Sequence, residues 1–446
     1  MKTDELILVT GATGYIAGRL IPRLLERGYR VRCLARDPAR LHGRSWLPQV
    51  EVVSGDLMLP ETLNTSLNGV SKAYYLVHSM SSGRNYAERD LQAARNFGKA
   101  ALAANLKQII YLGGLADPET AIAPHLRSRI LTGETLRSSG VPVTEFRAGV
   151  IIGSGSISFE MIRFMTEQFP LLIAPHWLRN RSQPIAIENV LDYLLAALHT
   201  PEARGGIFEI GGTQVISYGE CLLAYARLRG LKRRLLTVPL APVRLMAYMV
   251  DKLTSVPATI AQPLIEGLSG HSVVRDENAR RVFPQVKLID YQMAVRNTLG
   301  RLTPANIEPV WNESGQRLAV LKHEGFLIDH RQKWLAVAPQ EVFRAITHYK
   351  SWDYRTYNVE AIEEGCLLRL YYRRKIPGEV WIEWQVNPQG EGASLTQTVF
   401  FAPRGVPGFL CWYLLSPFRD MLLASWIGRI MRRACRTNPS KKVLNR

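Results

Sequence analysis

Short apolar runs alternate with amphipathic stretches over the first ~200 residues, the pattern of a parallel α/β sheet. Leu6–Thr10, Arg30–Leu34, Val50–Ser54, Ala73–His78, Gln108–Leu112 and Val143–Arg147 are predicted as six strands. Between them, Tyr15–Gly28, Tyr86–Ala104 and Leu126–Ser138 are predicted as helices, the first with Leu20, Leu24 and Leu25 on one face. Strands that are apolar throughout, set between helices, imply a sheet covered on both faces. From Ile151 to about Leu302 the pattern loosens, punctuated by Pro170, Pro175, Pro184, Gly211-Gly212, Pro239 and Pro242. This stretch is expected to form a smaller substrate-side lobe of the same domain, with a late strand and turn at Phe208–Gly212.

A polar linker (304–325) separates this from a second unit over 326–436. There, Arg331–Val337 alternates as a strand and Pro339–Ile346 starts as a helix, with proline suited to its first turn. Leu367–Arg373, Val380–Val386 and Leu395–Phe401 are further strands, with a turn at Pro377-Gly378, and a helix around Met421–Arg433 closes the unit before a basic tail, 437–446. The expected fold class is therefore α/β. A Rossmann-type doubly wound parallel sheet in residues 1–303 precedes a smaller α+β C-terminal domain. Two apolar segments, Leu235–Val250 and Gly408–Met431, fall short of a clean membrane span, and a core or interface role is expected for both.

Composition alters this picture little, except in charge. The chain carries 56 Lys and Arg against 38 Asp and Glu, a formal net charge of +18, which favours anionic partners. Seven of the cations and no acid lie from Arg429 onward. No zinc-ligand spacing, basic heptad or aromatic RNA-binding signature is visible, so nucleic acid is not expected as a partner. The five cysteines are scattered without a C-x-x-C pair, which argues against a disulfide framework or a metal site. Met1–Glu5 runs straight into a strand, so no signal peptide is expected, and the expected setting is cytoplasmic.

The clearest chemistry is the loop Gly11-Ala12-Thr13-Gly14-Tyr15-Ile16-Ala17-Gly18 between the first strand and its helix. Glycines there allow a tight turn and close approach of backbone to a pyrophosphate, and the helix start offers free N–H groups. An NAD site would place a carboxylate at the end of the second strand; this chain places Arg36 there, with Arg40 close behind. Guanidinium suits a 2′-phosphate, so NADP(H) is expected over NAD. Asp56 and Leu57, after the third strand, stand where an adenine ring would be contacted.

Thr10–Tyr15, Leu34–Pro38, Gly55–Leu57 and Arg147–Gly153 resemble, in order, the landmarks of the NmrA-like group of atypical and extended short-chain dehydrogenase/reductases, with Ala148 in place of a proline. Tyr75–Met80, His125–Arg129 and Ala402–Gly408 are similar to the YbjT-like NAD(P)-binding proteins of bacteria. That subgroup implies a second domain of helix-grip (START-like) type and unknown function.

The resemblance also implies a catalytic Tyr-x-x-x-Lys pair, which is missing here. The corresponding helix carries His125 and Arg129 at that spacing, and the strand before it ends in Gly113-Gly114 without a hydroxyl. Tyr248/Lys252 and Tyr371/Lys375 have the spacing at unsuitable places, the second on a β run. Asn96 matches either the family's helix asparagine or a plain surface residue. His125, with His78 at the end of the fourth strand, is one candidate acid–base site, Ser79 facing the same cleft; Arg129 would bind phosphate or ribose. Three expectations stand together. One is an NADP(H)-dependent oxidoreductase acting on an unknown apolar small molecule, a carbonyl or quinone-like compound. Another is a non-catalytic NADP(H) sensor, scaffold or assembly protein. The third is peripheral membrane contact, at the inner face, through the C-terminal aromatic and basic helix.

Overall fold

Strand β1 (Leu6–Thr10) is buried along its whole length and sends alternate side chains into two cores. Ile7 and Val9 enter one core, with Leu20, Ile21 and Leu24 of helix α1 (Tyr15–Glu26). Leu6 and Leu8 enter the other, with Phe97 and Ala101 of helix α2 (Tyr86–Ala103). A strand buried on both faces has no polar side to show, which is why its sequence is apolar throughout.

Around β1 lie β2 (Arg30–Ala35), β3 (Glu51–Ser54), β4 (Lys72–Tyr75), β5 (Gln108–Gly114), β6 (Val143–Ala148) and β7 (Ile207–Ile210). Their order is β7-β6-β5-β4-β1-β2-β3, and every pairing is parallel. The order reverses between β1 and β4, and in an open α/β sheet the crevice at such a reversal is where ligands bind. Helix α3 (Pro124–Arg137) follows β5, and α4 (Ile187–Ala196) packs with α1 on the first core.

The computed structural model describes residues 4–78, 85–117, 122–239, 242–253, 256–307, 320–348 and 355–436. Ser79 and Met80, most of the expected linker and the basic tail 437–446 lie outside them. The chain divides into two compact units. One comprises Met1–Met165, Leu171–Arg301 and Ile307–Gly315; the other comprises Thr166–Pro170, Leu302–Asn306 and Gln316–Arg446.

The second unit is an antiparallel sheet of β8 (Val320–His323), β9 (Phe326–Leu335), β10 (Tyr357–Glu363), β11 (Leu367–Tyr372), β12 (Gly378–Gln389) and β13 (Gly392–Pro403), ordered β8-β9-β13-β12-β11-β10. Helices α5 (Pro339–Thr347), α6 (Gly405–Leu414) and α7 (Ser416–Arg436) complete it.

Several expectations need correction. β8 begins inside the stretch expected as linker. Leu235–Val250 is not one segment: it splits into a strand, Arg234–Val238, and a helix, Val243–Leu253, with Pro239 and Pro242 between them. β11 ends at Tyr372, so Lys375 does not share its run with Tyr371. Gly408–Met431 is broken at Ser416-Pro417, where proline opens α7. Burial there covers one side of each helix, Phe409 and Trp412 of α6 and Leu423, Ile427 and Ile430 of α7, while Leu414, Phe418 and Met421 face solvent. No helix among the described residues is long and apolar enough to cross a membrane.

Near one edge of the parallel sheet the first unit buries a charge. Glu145 of β6 is fully buried and lies between Arg137, an ion-pair partner, and Arg147, whose Nε is 2.6 Å from Oε1. A side chain at position 133 would strike the Glu145 carboxylate, so Gly133 makes room for it. Removing the carboxylate leaves two guanidinium groups facing each other with little water. Glu145→Ala is therefore expected to cost about 3 kcal/mol of unfolding free energy, read from a denaturant melt; an unchanged midpoint would contradict that.

Candidate dinucleotide site

The crevice is closed at its base by one hydroxyl. Thr10 Oγ1, fully buried, donates to the carbonyl of Tyr74 at 3.1 Å and accepts from the N–H of Leu76 at 3.2 Å. It thereby ties the carboxyl ends of β1 and β4 together. Gly11 follows with φ +68°, and a Cβ there would stand 2.6 Å from the Leu76 carbonyl oxygen. Both the dihedral and the space exclude a side chain. The turn closes with the Gly14 N–H donating to the Gly11 carbonyl at 2.8 Å.

Helix α1 then starts with Gly14 as its N-cap, without a side-chain cap and without an acid in its first turn. An uncapped helix start carries free N–H groups and the positive end of the helix dipole, so the loop fits a pyrophosphate. Tyr15, Thr13 and Ile16 are half-buried along this entrance. Gly153, in the later glycine landmark, is small because the Tyr15 hydroxyl occupies the space of a Cβ. Arg19 stacks over the Tyr15 ring at 4.1 Å and donates to the Ser154 carbonyl at 2.7 Å, holding that landmark against α1.

Arg36 is exposed just beyond β2, and Arg40 is half-exposed behind it. The neighbouring Asp37 carboxylate accepts the Ala39 N–H at 3.0 Å and so serves as a turn cap. A residue that sequence reasoning missed is Arg44. It is 8% exposed, stacks near Trp46 and donates through Nη2 to the Thr13 carbonyl at 3.2 Å, bracing the phosphate loop from behind. The spacing of Arg36, Arg40 and Arg44 was the available signal. Asp56 accepts the Met58 N–H at 2.9 Å, and Asn96 donates to the Leu57 carbonyl at 2.8 Å. Asn96 is thus buried and structural to the Gly55–Leu57 turn, which corrects the surface alternative.

The Arg129 guanidinium lies within electrostatic reach of both His125 and His78. His125 is 5% exposed, packs against Gly267 and has no partner for Nδ1 among the described residues. Burial first, and Arg129 second, lower its pKa to about 4. His78 keeps exposed surface but is closely surrounded, and the same two causes lower it to about 3. Both rings are neutral at pH 7, able to donate a hydrogen bond but not to act as imidazolium. The glycine pair ending β5 has a steric reason, since a Cβ at Gly114 would lie 2.7 Å from Leu126 of α3. Tyr111, pushed up to about 12 by burial, spends its hydroxyl on the Arg129 carbonyl at 2.9 Å.

A parallel sheet of this order with a glycine turn at its reversal defines a Rossmann-type dinucleotide-binding fold. Residues 3–203 match the NmrA-like family. Photosystem II assembly factor Ycf39 of Cyanophora paradoxa is 26% identical over 245 residues, 53% of this chain and 72% of that protein. A ceramide reductase of Caulobacter vibrioides is 26% identical over 277 residues, 60% of this chain and 84% of that protein. Among solved structures, the NADPH-dependent quinone oxidoreductase of Escherichia coli, complexed with NADPH, superposes with a TM-score of 0.53 at 19% identity, covering 66% of this chain and 99% of that one. At that identity the likeness shows the fold.

Two outcomes follow. Gly11→Ala is expected to reduce dinucleotide affinity at least tenfold in a fluorescence titration, because the Cβ must move Leu76; unchanged affinity would contradict the geometry. His125 also predicts an acid-sensitive fold. Its folded pKa of about 4 lies below the ordinary 6.5, so the unfolded chain binds more protons in between. Stability is full above about pH 6.5 and falls as pH drops toward 4, by on the order of 3 kcal/mol. His125→Asn should flatten that window in denaturant melts; an unaltered slope would refute the assignment.

Proposed function

We propose that the protein binds NADP(H) and reduces an apolar carbonyl or quinone-like acceptor. The carrying observation is the loop Gly11–Gly18, closed on Leu76 and uncapped at α1, with Arg44 behind it and Arg36 beyond the second strand. In this reading the N–H groups of the α1 start hold the pyrophosphate. Arg36, assisted by Arg40, takes the 2′-phosphate, and the Gly55–Leu57 turn with Asp56 borders the adenine. Bound NADPH supplies a hydride. Arg129, a permanent cation, binds phosphate or ribose and offsets negative charge in the crevice, while neutral His125 and His78 donate hydrogen bonds. A quinone-like acceptor suits such a site, because its reduced anion is stable enough to take its proton from water. The names of a ceramide reductase among the relatives and of a quinone oxidoreductase among the similar folds support an apolar acceptor. Five unpaired cysteines support a reducing compartment, the cytoplasm.

A second reading, a non-catalytic NADP(H) sensor or assembly protein, is favoured by one observation. No tyrosine–lysine pair stands at the helix after β5, and the histidine in its place is held neutral. The assembly factor among the relatives agrees with it.

Two experiments test these readings, the first their shared cofactor and the second the difference between them. Arg36→Ala should weaken NADPH at least tenfold and leave NADH unchanged; equal losses for both would sink the NADP(H) assignment. NADPH oxidation with a panel of quinones and carbonyls, lost in His125→Ala and Arg129→Met, supports the reductase. Tight NADPH binding with no turnover on any of them supports the second reading.

A further inference from the structure

The α6–α7 hairpin turns outward the large apolar side chains that α7 does not bury. Leu410, Tyr413, Leu414, Phe418, Met421 and Leu422 are all about half exposed or more, with Leu414 at 70% and Phe418 and Met421 at 67%. They fall on one side of α6, at the turn, and on the first turns of α7. Isolated exposed leucines are ordinary, but a contiguous group of this size marks a contact surface.

The charges at the same turn are drawn away from it. Arg419 lies over the Trp412 ring at 3.8 Å, donates to the Trp412 carbonyl at 2.8 Å and faces Asp329, which is 4% exposed. Asp420 accepts from Arg331 at 2.8 Å. The one cation and one anion within the apolar group are thus neutralised on the sheet side. Further along α7 the sign is uniform: Arg429, Arg432, Arg433 and Arg436 are exposed, and the sequence adds Lys441, Lys442 and Arg446 with no acid.

We propose that this hairpin docks on an anionic lipid bilayer, its apolar tip among the acyl chains and the α7 arginines at the headgroup phosphates. From Met421 to Arg429 is eight residues, or about 12 Å of helix. That matches apolar side chains set roughly 5–10 Å below the headgroup boundary with cations at its level. No described helix spans a bilayer, so the contact is peripheral. A second copy of the chain fits less well, because it would bring the same basic helix against itself.

The test is flotation of the full chain with vesicles of phosphatidylcholine alone or mixed with phosphatidylglycerol. The intact chain should float with the mixed vesicles and at least tenfold less with the neutral ones. Leu414→Glu/Phe418→Glu, at positions too exposed to disturb the fold, should lose flotation about tenfold with an unchanged melt and unchanged dinucleotide binding. Arg429→Glu/Arg432→Glu should lose it as well, and high salt should weaken it. Failure of the intact chain to float with either vesicle overturns the proposal, as does equal flotation with both, or flotation of the tip variant. A dimer that does not float and that the tip variant dissolves, seen by light scattering, also overturns it and assigns the face to a second copy.

Discussion

The seat of Gly11 on the Leu76 carbonyl is the constraint on which the site depends. Thr10 fixes the ends of β1 and β4 with one hydroxyl, so the chain leaving β1 can turn only through a left-handed residue without a Cβ. That turn aims the uncapped start of α1 at the crevice where strand order reverses. Arg44 from behind and Gly153 from the side then hold the loop and helix in place. Moving any one of them shifts N–H groups whose value to an anion depends on direction.

The second constraint is electrostatic. The Arg129 guanidinium makes the surroundings of His125 and His78 positive. Second to burial, that guanidinium helps to keep both histidines from gaining protons. A proton donor that works at neutral pH needs the opposite environment, solvent or a carboxylate. Under the proposed reading this pattern suits acceptors whose reduced form tolerates negative charge, and a binding protein without turnover would show it as well.

Much of this was legible in the sequence because the first sheet is buried on both faces. Runs such as Leu6–Thr10 and Gln108–Gly114 have no alternation to misread, and the glycines of the loop follow the strand directly. Other features depended on what lies across space. Arg44 looks like one more surface arginine until the turn after β2 brings it under Thr13. The pKa of His125 is set by burial against Gly267, a packing partner distant in sequence. For Gly408–Met431 the sequence left core and interface both open, because composition alone does not tell which side of an apolar helix is covered; in α7 the covered side is Leu423, Ile427, Ile430 and Ala434.

The most direct measurement is hydrogen exchange of the full chain with and without NADPH. Slowed exchange is expected in peptides covering Gly11–Gly18 and Arg36–Arg44. Unchanged exchange across Gly11–Gly18 at saturating NADPH, or protection confined to another part of the chain, would contradict it.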